Sequence, residues 1–322
     1  MSMGTAPRSV RSAYRTKAVV DWMTLEIETA RPTQFQWIQR TLTNHFGGDT
    51  RAYIEAVDAG AGNAATRFVI RLNDACCQDV DTIRAALVVL DRQYRLCGPA
   101  LIKALEVSLD FYPKDDLARA DLLQLVARLQ TSLEAANGTS HRQVGFSKQP
   151  DFLDSTRRPD PQQTLYINNK ADPVSWRVYH KITDRDKALP HQYHRARVEF
   201  TLQGAGLRDY GLNSLADLAE HGFVKFGHLL HFRKFRPMSE LIAGRTPVVA
   251  YTLRNATPQV RNAIALYPYG LHAYHRDSRT GDPRNRGRPK ERKHSTHTDS
   301  DDELNHLVRD RLRDLTKNFH TK

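Results

Sequence analysis

Leu105-Glu106-Val107-Ser108-Leu109-Asp110-Phe111 is the stretch that decides the fold of this 322-residue chain. Apolar and polar residues alternate along it, and successive side chains of a strand point to opposite faces of a sheet. The pattern therefore predicts a strand whose Glu106, Ser108 and Asp110 share one face while its apolar residues pack on a core. Such a strand is typical of an antiparallel sheet that is covered on one side only.

The segments around this strand predict an α+β fold. Up to residue 111 the order is strand, helix, strand, strand, helix, strand, which is the order of a split βαβ or RRM-like core. A long helix and a second, strand-rich half follow. The predicted strands lie at 18–28, 51–57, 66–72, 102–111, 164–168, 174–182 and 194–203, and the predicted helices at 32–46, 80–96 and 115–136. We expect one antiparallel sheet with helices on one face, and a disordered basic C-terminal tail.

Strand periodicity also assigns side chains to faces. In the first strand, strict alternation places Trp22, Thr24 and Glu26 on one face and Asp21 with the apolar residues on the other. In the later strands, one face carries Arg177, Tyr179 and Lys181, and one face carries Arg197 and Glu199. Neighbouring strands lie about 5 Å apart. If the strands at 102–111, 174–182 and 194–203 are adjacent, their side chains meet at one site: Glu106, Asp110, Tyr179 and Glu199.

The chain divides into five predicted parts. Residues 1–17 read as a flexible basic arm, and residues 18–236 as the main domain, which holds all of the candidate chemistry. Residues 237–274 would extend that domain. Residues 275–300 are polar and basic and should form a disordered linker. Residues 301–322 predict an amphipathic helix that docks on the body or on a partner.

The formal net charge of +12 favours a polyanionic partner, with nucleic acid first and an anionic membrane surface second. No apolar run is long enough to cross a membrane, and the basic N-terminus lacks the apolar core of a secretory signal. The three cysteines have no metal-ligand spacing and suggest reduced thiols. We expect a cytoplasmic protein without a membrane partner.

The polar faces predict a metal-dependent reaction at a phosphate. Glu106, Asp110 and Glu199 offer the carboxylate oxygens that Mg²⁺ or Mn²⁺ prefers. Tyr179 would be the nucleophile, although a phenol with a pKa of about 10 needs a cation or a base to react at neutral pH. Arg177 and Lys181 would contact phosphate oxygens or stabilise the phenolate. The alternative is that these faces are only the solvated sides of half-exposed strands.

Five segments carry a resemblance to a known family. They are Val20-Asp21-Trp22-Met23-Thr24, Leu105–Phe111, Thr164-Leu165-Tyr166-Ile167, Ser175-Trp176-Arg177-Val178-Tyr179-His180-Lys181 and Arg195-Ala196-Arg197-Val198-Glu199-Phe200. Together they resemble the replication initiation factor family of rolling-circle plasmids and filamentous phages, and the related relaxases. The similarity spans residues 18 to 235. Asn168-Asn169-Lys170 departs from it, because a Gly-Ser type turn is common there.

The resemblance implies an endonuclease that nicks origin DNA and stays joined to the 5′ phosphate through Tyr179. It implies Glu106, Asp110 and Glu199 as metal-binding or activating groups. The expected partners are single-stranded or cruciform origin DNA and a host helicase, and a homodimer is left open. No His-hydrophobic-His motif is present, which argues against a metal held by histidines.

Several cations are predicted to contact DNA. Arg286-Gly287-Arg288-Pro289-Lys290 resembles an AT-hook, which would place Arg286, Arg288 and Lys290 in a minor groove, or it is a basic linker that binds phosphate without sequence choice. Arg197 and three cations further along the chain complete the set: Lys225, Arg233 and Lys234.

Two other functions fit the same segments. One is a non-enzymatic origin-binding or regulatory protein on this scaffold. The other is an RNA-binding protein, which the lack of an aromatic-rich segment on the strand at 102–111 argues against.

Overall fold

The computed structural model describes residues 8–47, 52–135, 141–144, 150–151, 160–184, 186–235 and 298–320. Their fold is α+β, as predicted. Of the predicted arm, residues 1–7 lie outside the described residues. The predicted domain extension and most of the predicted linker also lie outside them. Residues 298–300 are the part of that linker that is described, and they form a strand.

A single large antiparallel sheet organises the molecule. Among the described residues this sheet has nine strands, in the spatial order β2-β3-β1-β4-β11-β8-β7-β5-β6. Two further pairs, β9 with β10 and β12 with β13, lie outside it. The strands are β1 (Tyr14–Gln34), β2 (Tyr53–Ala56), β3 (Ala64–Asn73), β4 (Leu101–Pro113), β5 (His141–Val144), β6 (Pro150–Asp151), β7 (Thr164–Ile167), β8 (Val174–Lys181), β9 (Thr183–Asp184), β10 (Lys187–Ala188), β11 (Arg195–Gln203), β12 (Arg233–Phe235) and β13 (Thr298–Ser300).

The main helices pack on one face of the sheet, as the sequence predicts. Apolar side chains of the central strands, such as Val107, Val178 and Phe200, are fully buried on that face. Each such burial contributes about 1.5–3 kcal/mol. The helices are α1 (Val10–Ala13), α2 (Phe35–Phe46), α3 (Val80–Tyr94), α4 (Asp116–Ala120), α5 (Leu122–Ser132), α6 (Ala205–Asp209), α7 (Leu215–Glu220) and α8 (Asp302–Phe319), with short 3₁₀ helices at Ala61–Asn63, Asp74–Cys76, His191–Tyr193 and Phe223–Leu230.

The Phe223–Leu230 segment shows which face the helices occupy. The Phe226 ring lies 5.4 Å from that of Phe200, which points to the apolar side of β11. The indole of Trp176, on the apolar side of β8, donates a hydrogen bond of 2.7 Å to the Leu229 carbonyl. The opposite, polar face of the central strands carries the candidate chemistry.

Local signals explain where several helices begin and end. The Asp79 side chain caps α3 by accepting a 2.6 Å hydrogen bond from the Thr82 N–H, and α3 ends where Arg95 takes a positive φ of 54°. The helix predicted at 115–136 is two helices, α4 and α5, because residue 121 leaves the helical conformation.

The amphipathic helix predicted at the C-terminus is α8, and it docks on the body. Its apolar residues are all buried: Leu304, Leu307, Val308, Leu312 and Leu315. The Asp301 side chain caps its first turn and also accepts hydrogen bonds from Arg128 on α5, the shortest of them 2.8 Å long. This helix therefore completes the core although it lies far along the chain from the sheet.

The N-terminal segment differs from its prediction as a flexible arm. Residues 8–17 form α1 and the first part of β1, and Val10, Ala13 and Tyr14 are buried. Arg11 pairs with Asp310 of α8 at 2.7 Å, and the Val10 N–H donates to Glu303. Acidic residues of α8 thus hold the basic segment on the body, a pairing that local sequence cannot indicate.

Candidate active site

Three strands meet as the site prediction requires. β11 lies between β4 and β8, so that Arg197 stands opposite Asp110 on one side and Tyr179 on the other. Glu199 stands opposite Ser108 and Arg177. The polar faces of these strands therefore form one continuous surface, which we call the polar face.

Asp21 joins this surface although strict alternation places it on the core side. Val20 pairs with Val107 and Trp22 pairs with Glu106, so Asp21 is an extra residue in β1, a β-bulge. A bulge shifts the alternation by one residue and re-aims the side chain. The predicted position of Asp21 with the apolar residues is therefore wrong. The sequence gives no signal for the bulge, because it depends on the pairing with β4.

Asp21, Glu106 and Glu199 form a buried carboxylate cluster, which we call the acidic triad. One oxygen from each lies within 4.8 Å of the others. Arg177 spans two of them: its Nη2 lies 2.8 Å from Glu106 Oε2, and its Nε contacts Glu199 Oε1. Glu106 also accepts a 3.0 Å hydrogen bond from the Thr201 hydroxyl.

Asp110 belongs to a different arrangement on the same face. Arg197 binds it through two hydrogen bonds, of 2.5 and 2.7 Å, and Arg195 Nε lies 3.0 Å from it. The other end of the Arg197 guanidinium lies 2.8 Å from Asp21 Oδ1. Glu106 and Glu199 thus lie in one cluster with Asp21, whereas Asp110 is paired with arginines.

The Tyr179 hydroxyl donates a hydrogen bond of 3.2 Å to Glu199 Oε2. Burial and the Glu199 carboxylate raise the pKa of Tyr179 well above its usual range, although Arg197 and Arg177 act in the opposite direction. Tyr179 is therefore a neutral phenol at pH 7, and its proton points at a carboxylate.

Glu199 is unusually able to take a proton. Its burial and the neighbouring Glu106 raise its pKa to about 8, despite the lowering effect of Arg177 and Arg197. Burial also raises the pKa of Glu106. In contrast, Arg197, together with Arg195, outweighs the effect of burial on Asp110 and holds its pKa below the usual range. The ionised form of the carboxylates is thus disfavoured in the triad and favoured at Asp110.

The triad fits a hard divalent cation. It offers carboxylate oxygens only, which is the donor set of Mg²⁺ and Mn²⁺. Glu106 Oε1 is buried and has no hydrogen-bond partner among the described residues, so one oxygen is left for a cation. Arg177 and Arg197 share the remaining carboxylate charge. The acidic triad could therefore bind a metal.

A cleft of about 530 Å³ opens on the polar face beside the triad. Glu106 and Arg177 line both the cleft and the triad. The walls also carry aromatic and basic side chains, among them Trp22, Tyr166, Arg71 and Lys170. Tyr179 does not line the cleft itself, but it lies two residues from Arg177 on the same face of β8.

The other predicted site residues lie in several places. Lys181 pairs with Asp184 at 3.0 Å and is largely buried. Arg197, predicted to contact DNA, is 1% exposed and is held by the carboxylates described above, so it cannot reach a ligand. Arg233 is buried and donates to the carbonyl of Thr298, which also removes it from a DNA surface.

Of the remaining predicted DNA contacts, Lys225 and Lys234 do not line the cleft. Lys225 and Lys234 are exposed, but Lys225 lies in the Phe223–Leu230 segment on the helical side of the sheet, opposite the polar face. Arg286, Arg288 and Lys290 lie outside the described residues.

Comparison with protein-family models and with curated protein sequences gives no match. Two solved structures show a weak likeness. A rolling circle replication initiator protein from Geobacillus stearothermophilus is 12% identical with a TM-score of 0.34, covering 80% of this chain and 100% of its own. The class II 3-hydroxy-3-methylglutaryl-CoA reductase from Streptococcus pneumoniae is 10% identical with a TM-score of 0.21, covering 96% and 79%. Neither likeness carries an argument about this chain.

Within the described ranges, no helix has both the length and the apolar composition that a bilayer crossing needs.

Proposed function

We propose that the protein is a rolling-circle replication initiator or relaxase that nicks single-stranded origin DNA through Tyr179. One observation carries the proposal: the hydroxyl of Tyr179 donates to Glu199, a buried carboxylate whose pKa is raised to about 8, beside a cleft with basic walls. The resemblance of β1, β4, β7, β8 and β11 to the replication initiation factor family points the same way. The net charge of +12 suits a nucleic acid substrate.

The reaction is a transesterification that conserves the number of phosphodiester bonds. The phenolic oxygen of Tyr179 attacks the scissile phosphorus while its proton passes to the ionised form of Glu199, which becomes the major form as the pH rises through about 8. The bond from phosphorus to the 3′ oxygen breaks, and that oxygen leaves as a 3′ hydroxyl after taking a proton from solvent. The 5′ phosphate stays on Tyr179 until a 3′ hydroxyl attacks it and the tyrosine leaves.

Arg177 is placed to stabilise this reaction. It lies on the same strand as Tyr179, is only partly buried, and lines the cleft. Its carboxylate partners raise its pKa, so it stays charged. A phosphate that enters the cleft can share this guanidinium with Glu106 and Glu199. Lys181 would act only at longer range, because it pairs with Asp184.

Asp21, Glu106 and Glu199 would hold a metal. Bound there, Mg²⁺ or Mn²⁺ would polarise the phosphate and offset charge in the transition state. A host helicase and a second copy of the chain are proposed partners on the resemblance alone, and a cytoplasmic location is proposed with them.

A second candidate is a DNA-binding regulator without nicking activity. The observation that favours it is that all four buried carboxylates of the polar face already contact an arginine: Asp21, Glu106, Asp110 and Glu199. Such a network can serve as a structural layer only.

An adduct assay separates the two candidates. We would incubate the protein and Mg²⁺ or Mn²⁺ with a random pool of single-stranded oligonucleotides labelled at the 3′ end, and then run a denaturing gel. The proposal predicts a labelled band at the mass of the protein plus DNA, because the downstream fragment carries the 5′ phosphate. A pool labelled at the 5′ end should give a shorter free product and no labelled adduct.

Tyr112→Phe is the matched control for Tyr179→Phe. Tyr112 lies near the same surface and also donates a 3.2 Å hydrogen bond to a buried carboxylate, that of Asp110. Tyr179→Phe should abolish the adduct, and Tyr112→Phe should keep it. If the wild-type protein binds the pool and yields no adduct with either metal, the regulator is the correct function.

A further inference from the structure

The part of the cleft that lies away from the triad is not used by the chemistry above. Trp22 lines the cleft and directly follows the bulge at Asp21 in β1. Its indole is half-buried on the polar face and lines the cleft together with the Tyr166 ring. An indole on a polar surface beside a basic cleft suggests a contact with a ligand.

Arg71 holds this indole in place. The guanidinium carbon of Arg71, from the neighbouring strand β3, lies 4.3 Å from the centre of the Trp22 ring. The Tyr53 ring lies 6.0 Å from the same indole. Cation–π contacts of this kind orient an aromatic ring before any ligand arrives. Trp22 is therefore a fixed platform.

The charges around the platform suit a phosphate chain. Arg71 and Lys170 line the cleft, and neither forms an ion pair with a carboxylate of the described residues. Lys103 also lines it but pairs with Glu26 at 3.2 Å. Aromatic rings beside unpaired cations are what proteins use to bind single-stranded nucleic acid, where bases stack and phosphates meet cations.

We propose that the cleft binds a nucleotide of single-stranded DNA next to the scissile phosphate, with its base stacked on Trp22 and its phosphate near Lys170. The inference rests on the proposed function for the identity of the polymer. The shared residues Glu106 and Arg177 connect this subsite to Tyr179, so the stacked base fixes which phosphate reaches the nucleophile. Trp22 is a positioning residue for the reaction.

Fluorescence anisotropy on a Tyr179→Phe background tests the subsite without chemistry. The probes are a thymidine oligonucleotide of about 12 nucleotides and the same length of abasic strand. Trp22→Ala should weaken binding of the thymidine strand by about 5- to 150-fold, the effect of losing one stacked base. It should leave the abasic strand within about 2-fold, because no base is there to stack. Lys170→Ala should weaken both strands alike, because it removes a phosphate contact.

Trp37→Ala is the matched control. Trp37 is an exposed tryptophan on α2 that also carries an arginine, Arg40, at 4.8 Å from its ring, but it lies outside the cleft. Its loss should not change affinity. Trp22→Phe keeps an aromatic face and should retain most of the binding, which guards against a folding defect in Trp22→Ala. The inference is overturned if Trp22→Ala binds thymidine as Trp37→Ala does, or loses the same factor on the abasic strand.

These outcomes are independent of the proposed function. A Trp22-dependent preference for bases can exist in a protein that never forms an adduct, and that result would reject only the nicking activity. Conversely, normal adduct formation together with unchanged affinity in Trp22→Ala would reject only the stacking subsite.

Discussion

Two tyrosines near the same surface of the sheet each donate a 3.2 Å hydrogen bond to a buried carboxylate, and their surroundings differ. The partner of Tyr112 is Asp110, whose pKa lies below its usual range because Arg197 and Arg195 outweigh the effect of burial. The partner of Tyr179 is Glu199, whose pKa is raised to about 8 by burial and by Glu106. When ionised, Glu199 is therefore a stronger base than Asp110 and the better acceptor for a phenol proton.

The difference shows that the number of arginines beside a buried carboxylate decides its role. A carboxylate that arginines fully neutralise is structural, and one that they neutralise only in part can react. Arg197 meets Asp110 in a two-pronged pair that satisfies both groups. In the triad, three carboxylates share Arg177 and one end of Arg197, and Glu106 Oε1 is left without a hydrogen-bond partner in the described part of the chain. Unbalanced buried charge of this kind is a mark of functional sites.

The largest expected effect comes from breaking the ion pair between Arg197 and Asp110. Arg197→Met removes the cation that neutralises Asp110 and leaves buried carboxylates uncompensated. We expect the free energy of unfolding to fall by about 3–5 kcal/mol, measured by urea denaturation.

The double variant Asp110→Leu with Arg197→Met is the control for that change. It removes both partners of the two-pronged pair and should recover part of the lost stability. A loss below about 1 kcal/mol in Arg197→Met would mean that the pair does not hold the polar face together.

A smaller effect is expected when a divalent cation binds to the acidic triad. Mg²⁺ or Mn²⁺ at 100 times its dissociation constant should stabilise the folded protein by about 2.7 kcal/mol, seen as a rise in melting temperature. Asp21→Asn should abolish that rise, because it removes one ligand of the triad. Glu26→Gln, on the same strand but paired with Lys103, is the control and should keep it. An equal rise in both variants would contradict a metal at the triad.

The sequence predicts most of the sheet and much of the site, because strand alternation is a local property. The faces of β4, β8 and β11 follow from it, and the meeting of Glu106, Glu199 and Tyr179 needs only that these strands be neighbours. Asp21 could not be found in this way. The bulge at Asp21 arises from the register between β1 and β4, and the residue types in Val20–Trp22 do not predict it.

Burial of charge is the second feature that local sequence does not contain. Strand alternation places Arg197 on the polar face, but carboxylates of β1 and β4 surround it there and leave it no access to DNA. The same holds for residues 8–17, which read as a free arm from their sequence alone, whereas Arg11 pairs with Asp310 of α8 and the Val10 N–H donates to Glu303 of α8. In each case the partner comes from a distant part of the chain.

The smallest effect per measured step, about 1 kcal/mol for each pH unit, is a difference in pH dependence that tests Glu199 as a proton acceptor. Because the pKa of Glu199 is raised to about 8 when folded, the folded protein keeps a proton there that the unfolded chain releases near its ordinary pKa of about 4.3. The stability from this group is therefore full below that value and is lost as the pH rises towards 8. The slope should be at most about 1.4 kcal/mol per pH unit.

Glu199→Gln removes that proton exchange and should flatten the slope. Relative to the wild-type protein, the variant should gain stability steadily between pH 5 and pH 8 in urea denaturation, about 1 kcal/mol per pH unit. Asp110→Asn is the opposing control, because the lowered pKa of Asp110 contributes stability that is lost only as the pH falls through acid values. Parallel profiles of Glu199→Gln and wild type from pH 5 to 8 would remove the distinction between the two carboxylates, and with it the reason to choose Tyr179 over Tyr112 as the nucleophile.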